Sequence, residues 1–203
     1  MNKGRFEAFS DGVFAFAFTL LALGFVLPEI RYETSGALGA ALVRLWPDLL
    51  AYGLSFSVIG LMWQNHHALF RLVKHIDRKT VFWNLLLLAA TVLIPFATKT
   101  LGSYPTFSAS TFLYGLVLST CAVFYNRMLA HLVHADAFEP EVERSAIAAT
   151  VRGYRMGMIV YIAATLVALV MPMLSFGMYL AIVVYFIVPR GADSDAPISA
   201  RRW

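Results

Sequence analysis

The sequence predicts an all-α membrane protein, and three observations carry that reading. It is 60% hydrophobic and 14% charged, with a mean hydropathy of +0.70. Soluble domains run about 45–50% apolar and about 25% charged. Charge-free stretches recur at lengths suited to a ~30 Å hydrocarbon core. The basic residues are also sorted by side. With the N-terminus inside, only Arg31, Arg44 and Lys99 of the 16 Lys and Arg fall outside. That is the asymmetry of the positive-inside rule. The expected architecture is six transmembrane helices with both termini cytoplasmic, over about 5–28, 48–71, 79–99, 103–132, 148–171 and 174–189. A flexible cytoplasmic tail, 190–203, follows.

The first helix carries Arg5, Glu7 and Asp11 in its opening turns and no charge from 12 to 28. Ionisable groups at the head of a membrane helix are costly unless partnered, which marks them for function. The stretch has no small-x-small cleavage site and more spans follow it, so it is expected to be retained. The second span, charge-free over 49–70, is preceded by a short interfacial helix over 35–46. The third and fourth spans follow from the apolar runs 80–98 and 101–126. The run 156–189 is too long for one crossing at about 1.5 Å per residue. Pro172, Ser175 and Gly177 divide it into two short helices joined by a tight hairpin. Between the fourth and fifth spans, 131–152 carries Asp136, Glu139, Glu141 and Glu143 and reads as a cytoplasmic helical hairpin extension. Cys121 is a lone cysteine in an apolar run, a small core residue. The net charge of +4 reports topology and no nucleic-acid partner.

At roughly 100° per residue, Phe16, Leu20, Leu23 and Leu27 form one stripe on the first helix, with Thr19 at its edge. Helix packing would use such a stripe, and so would a pore that filters by dewetting. The spacing leaves both open. Arg5 and Asp11 lie about 240° apart and cannot pair within the helix, and Ser10 adds a local hydroxyl. At the inner end of the second span Trp63, His66, His67 and Phe70 share a face, with Asn65 to one side. Asn84 of the third span falls at the same depth, so three helices bring polar groups to one level. A buried hydrogen-bond or proton-sensing network is expected there. Adjacent His66 and His67 splay apart, unlike a helical zinc pair, so no metal is expected. His131, His134 and Asp136 read as a solvated loop, and Gly153 with Gly157 as a GxxxG packing signal. No nucleophile–base pair, phosphate loop or dinucleotide fingerprint points to an enzyme.

Arg5-x-x-x-Phe9-Ser10-Asp11-Gly12 at the head of an apolar helix resembles the signature of the transmembrane protein 175 family. These are lysosomal potassium channels and their bacterial relatives. Trp63-x-Asn65-His66-His67-x-Leu69-Phe70, and Asn84-Leu-Leu-Leu-Leu88 through Leu93-Ile-Pro-Phe96, resemble the family as well. The resemblance implies a leak-like potassium channel without a voltage sensor or carbonyl filter. It needs no cofactor, and its permeant ions are K+ and possibly H+ or other monovalent cations. It further implies the bacterial single-repeat form, a homotetramer in the plasma or inner membrane with four first helices around the pore. By position, the constriction falls at Phe16, the family's isoleucine site, with Leu20 and Leu23 above it. Thr19 takes the place of a threonine linked to potassium selectivity. Arg5, Ser10, Asp11, Trp63, Asn65, His66 or His67, and Asn84 would fix the pore helix. Glu29 and Glu33 are candidates for a weakly negative outer vestibule. Two other readings compete: a proton-coupled transporter using Asp11 and His66/His67, and an intramembrane metal-dependent hydrolase.

Overall fold

The computed structural model describes residues 2–27, 29 and 34–187. Arg31, Glu33 and the 190–203 tail lie outside the described residues. Eight helical segments are described: α1 (Lys3–Leu23), α2 (Ser35–Arg44), α3 (Trp46–Arg71), α4 (Arg78–Thr91), α5 (Ile94–Ser103), α6 (Ser108–His134), α7 (Arg144–Val167) and α8 (Pro172–Ile187).

Each boundary has a local cause. The Asn2 side chain accepts from the Gly4 N–H and starts α1. The helix ends at Leu23, not at the expected 28. Gly24 and Phe25 close it by donating to the carbonyls of Leu21 and Ala22, a tightened last turn. Glycine is a poor helix former, and Pro28 disfavours helix at the residue before it. Leu27 therefore lies off the stripe predicted for it. Thr34 caps α2 through the Ala37 N–H. Pro47 sits in the first turn of α3, and the two helices meet at a 45° bend. Asp77 caps α4 by accepting from the Thr80 N–H at 2.8 Å and its hydroxyl at 2.7 Å. The expected third span breaks between α4 and α5 because Pro95 brings no N–H to the turn before it. Length and composition still read Arg78–Ser103 as one apolar rod.

α1, the α4–α5 rod and α6 are long and apolar enough to cross a membrane, and α2 with α3 qualifies as a bent pair. α8, at 16 residues, is about 24 Å long. α6 lies at the centre, against α4, α5, α7 and α8. α1 packs on α3, α4 and α5, whereas α7 packs on α6 and α8. Small polar side chains knit the apolar interior. Thr98 donates to Ser55 at 2.7 Å, and Ser55 donates to the Tyr114 hydroxyl at 3.0 Å. Ser119 meets Thr165 at 2.9 Å, and Ser175 donates to the Ala164 carbonyl at 2.7 Å. Among the described residues no buried side-chain nitrogen or oxygen lacks a partner. In a medium without water that condition is strict. Gly115 is required on α6 because a Cβ there would lie 1.9 Å from the Tyr179 hydroxyl and 2.5 Å from Thr165 Oγ1.

At the basic end the connections are tied together. The Lys74 N–H donates to the Ala137 carbonyl at 2.8 Å, and the Glu139 N–H donates to the Leu72 carbonyl at 2.9 Å. This antiparallel bridge pairs Val73 with Phe138. The helical hairpin expected over 131–152 takes this form: α6 runs on to His134, a turn follows, and α7 starts at Arg144. His131, expected in a solvated loop, lies on α6 with Nε2 2.8 Å from Asp77 Oδ2. The GxxxG expectation also changes. A Cβ at Gly153 or Gly157 would meet nothing within 4 Å, so these glycines form no close helix contact in this chain.

Candidate functional site

α1 has two unlike faces. Phe6, Ser10, Phe14, Ala17 and Leu21 are buried, at spacings that keep one side of a helix toward its neighbours. The other side is bare. Phe16 is 59% exposed and Leu23 76%. Leu20 is half-buried at the edge, and Thr19 is exposed with its hydroxyl donating to the Phe16 carbonyl at 2.8 Å. Leu27 is also exposed, on the non-helical stretch beyond Gly24. Phe9 and the small residues Ala8, Gly12, Ala15 and Ala22 complete the bare face. Their recurrence at i, i+4, i+7 and i+14 was available in the sequence, but the large stripe drew the reading. A single α1 thus presents two parallel tracks, one of bulky apolar side chains and one of small residues on which another helix can approach closely.

The buried face of α1 ends in a polar node. Asn84 Nδ2 on α4 donates to Ser10 Oγ at 3.0 Å, and Ser10 Oγ donates to the Phe6 carbonyl at 3.0 Å. With its nitrogen so used, the Asn84 amide turns its oxygen to His66 Nε2 at 2.8 Å. Nε2 therefore carries the proton, and the chain of donors runs from His66 through Asn84 and Ser10 to the α1 backbone. Three aromatic rings enclose the imidazole, with centroids at 6.1 Å (Phe6), 5.5 Å (Phe14) and 4.6 Å (Phe70). Trp63 Nε1 donates to Asp11 Oδ1 at 2.9 Å, a second tie between α3 and α1. Each inter-helix hydrogen bond in a membrane protein contributes on average about 0.6 kcal/mol, up to about 1.7. The node holds α1 at one rotation and one height against α3 and α4.

Not all the expected network residues take part. Arg5 is exposed and makes no hydrogen bond or ion pair among the described residues. His67 is exposed and stacks on Trp63 at 6.0 Å. The face expected to hold Trp63, His66, His67 and Phe70 together is therefore split between a buried pair and an exposed pair. Asn65 contributes its backbone carbonyl, to the Tyr125 hydroxyl at 3.1 Å, and its side chain turns toward cavities on the far side of α3. The sequence reading missed Lys3, whose Nζ donates to the Val73 carbonyl at 2.7 Å. It also missed the aromatic cage, although Phe6, Ser10 and Phe14 follow one another at i, i+4 and i+8. Glu29 is exposed. Lys99 pairs with Asp48 at 3.0 Å near the other end of α1. Among the described residues no three His, Cys, Asp or Glu side chains are grouped to hold a metal.

Comparison with known proteins supplies the family and the fold. The family model "Endosomal/lysosomal potassium channel TMEM175" matches residues 5–95, which contain the bare helix and the whole node. A potassium channel of Chamaesiphon minutus is 35% identical, over 94% of this chain and 96% of that protein. A potassium channel of Streptomyces collinus is 38% identical, over 79% of this chain and 80% of that protein. The crystal structure of a lysosomal potassium-selective channel TMEM175 homologue from Chamaesiphon minutus superposes with a TM-score of 0.82 at 33% identity. The match covers 96% of this chain and 98% of that one. The chain is a multi-pass membrane protein and belongs to the TMEM175 family of ion channels.

Proposed function

We propose that this protein is a passive, leak-type cation channel, potassium-selective or weakly so, in which four copies of α1 surround the ion path. The observation that carries the proposal is the bare apolar face of α1. Many apolar side chains are exposed, as lipid allows, but Phe16 and Leu23 stand uncovered beside a track of small residues, on a helix whose opposite face a buried polar node holds in place. A fourfold axis along that face would put Phe16, Leu20 and Leu23 into the throat and give the small-residue track to the neighbouring copy. Leu27 would then stand at the mouth, and Thr19 between the Phe16 and Leu23 rings.

In this arrangement the chain crosses six times, counting the bent α2–α3 pair, the broken α4–α5 rod and the short α7–α8 hairpin. Both termini are cytoplasmic, in a plasma or inner membrane. K+ would shed part of its hydration to pass the apolar rings, and dewetting there would set the closed state. Phenylalanine at position 16 offers ring faces to a cation and fills the axis more than isoleucine would, which lowers conductance and weakens the preference for K+. Arg5, close to the head of α1, would face the inner vestibule. Asp11 is bonded to Trp63 and His66 to Asn84, not to each other, which supports a structural node over a transporter's proton relay.

Recording of the purified protein in planar bilayers, with K+ on one side and Na+ on the other, tests this. Phe16→Asn should raise the current roughly tenfold, the equivalent of ~1.4 kcal/mol off the barrier. It should also move the reversal potential toward zero. Currents and reversal potentials unchanged by Phe16→Asn and Leu20→Asn would mean that the face only packs.

A further inference from the structure

At the basic end, on the side of the protomer away from α1, α6 and α7 part to leave a cleft of about 300 Å3. Its floor is apolar, formed by Val123 of α6 and Val151, Met158 and Ile162 of α7, and Arg127 and Arg155 stand at its rim. Both arginines are exposed, and neither makes a hydrogen bond or ion pair among the described residues. None of the acidic residues of the α6–α7 connection lines the cleft. Two hydrogen bonds fix its depth. Asn126 Nδ2, one residue before Arg127, donates to the Tyr154 carbonyl at 3.1 Å, and Tyr125 reaches the Asn65 carbonyl. Arg127 and Arg155, each one residue beyond a bonded position, therefore branch from the backbone near the level of Asn65, toward the basic end of α3.

We propose that this cleft seats an anionic phospholipid of the cytoplasmic leaflet, with its phosphate between Arg127 and Arg155 and an acyl chain along Val123, Met158 and Ile162. The charge pattern argues for that occupant. A guanidinium pair with no counter-charge needs an anion, and guanidinium binds phosphate oxygens in pairs. An apolar floor opening beside the pair needs a hydrocarbon tail, and basic pockets between membrane helices on the cytoplasmic side bind acidic headgroups. A soluble anion would leave the floor uncovered. This inference rests on the reading that the basic end is cytoplasmic and that α1, not α7, faces the axis.

The test uses the full chain in mild detergent, titrated with palmitoyl-oleoyl phosphatidylglycerol or with phosphatidylcholine of the same chains. Native mass spectrometry counts the lipid retained. Phosphatidylglycerol should be retained at one per protomer in preference to phosphatidylcholine. Arg127→Gln and Arg155→Gln should each weaken retention about fivefold, and Lys at either position should restore only part of it, since it keeps the charge but not the paired contact. Met158→Trp, which fills the floor and spares both arginines, should weaken it at least as much. Equal retention of the two lipids, or a double Gln variant that binds like the parent, overturns the proposal. So does displacement of phosphatidylglycerol by millimolar inorganic phosphate, or full retention by Met158→Trp, since either would mean a surface anion contact without a tail. Potassium flux into phosphatidylcholine liposomes is scored separately. Flux that survives in the double variant leaves the channel reading intact whatever the lipid result, and retained lipid without flux counts only against the channel.

Discussion

Asn65 and His66 are neighbours on α3 and look into opposite worlds. His66 is 2% exposed, caged by three rings and joined to Asn84 and Ser10. Asn65 looks the other way, onto cavities of about 100 and 160 Å3 between α3, α6 and α7. No residue of α7 before Ala164 is buried, while α1 buries Phe6, Ser10, Phe14, Ala17 and Leu21 against its neighbours. One helix is held by a buried face and a polar node, the other lies along α6 with its side chains partly exposed. The rigid side faces the proposed throat, where an error of an ångström would change ring closure. In the proposed arrangement the α7 side would face lipid, where partly exposed apolar side chains cost little.

Substitutions can break that contrast, and the largest effect is expected at the node. Asn84→Leu removes two hydrogen bonds and leaves His66 Nε2 and Ser10 facing an apolar side chain. It should lower stability in detergent by about 2–3 kcal/mol and disturb conduction through the tilt of α1. Denaturant unfolding checks the first effect and bilayer recording the second. Unchanged unfolding would mean that the node is ornament. Next come the glycines, which oppose one another. Gly115→Ala drives a Cβ into Tyr179 and Thr165 and should cost about 1–3 kcal/mol. Gly157→Ala meets open space and should stabilise α7 by about 0.5–1 kcal/mol through helix propensity. A destabilised Gly157→Ala would mean that α7 is tighter than its exposed residues imply.

The smallest effect concerns acid. Burial disfavours the Asp77 carboxylate, but the Thr80 N–H and hydroxyl and His131 together outweigh it and pull its pKa from 3.8 to about 2. A lowered carboxylate pKa adds stability above its unfolded value that is lost as pH falls through the folded one. Melting temperature should therefore fall between about pH 4 and pH 2. Asp77→Asn, which keeps the helix cap and drops the charge, should flatten that limb. An identical slope in the variant would place the acid sensitivity elsewhere.

What the sequence made legible follows from where each signal resides. The stripe of Phe16, Leu20 and Leu23, the polar level of Ser10, His66 and Asn84, and the hairpin at Pro172 are written in spacing or in a missing N–H. Leu27 was misplaced because apolar composition continues past Gly24 while the helix does not. Which of His66 and His67 turns inward depends on the rotation of α3, and adjacent residues carry no mark of that. The cleft beside Arg127 and Arg155 is a gap between helices. Gaps have no residues of their own to read.

The bridge between residues 72–74 and 137–139 is made entirely by peptide groups. Alanine substitution leaves these two bonds in place, so any cost it shows at buried Val73 reports packing and not the bridge. Only a change to the main chain, a proline at 74 or 139 or an inserted residue, would cut it. Two connections that look like dispensable linkers are therefore a seam whose constraint is invisible to comparisons of residue identity.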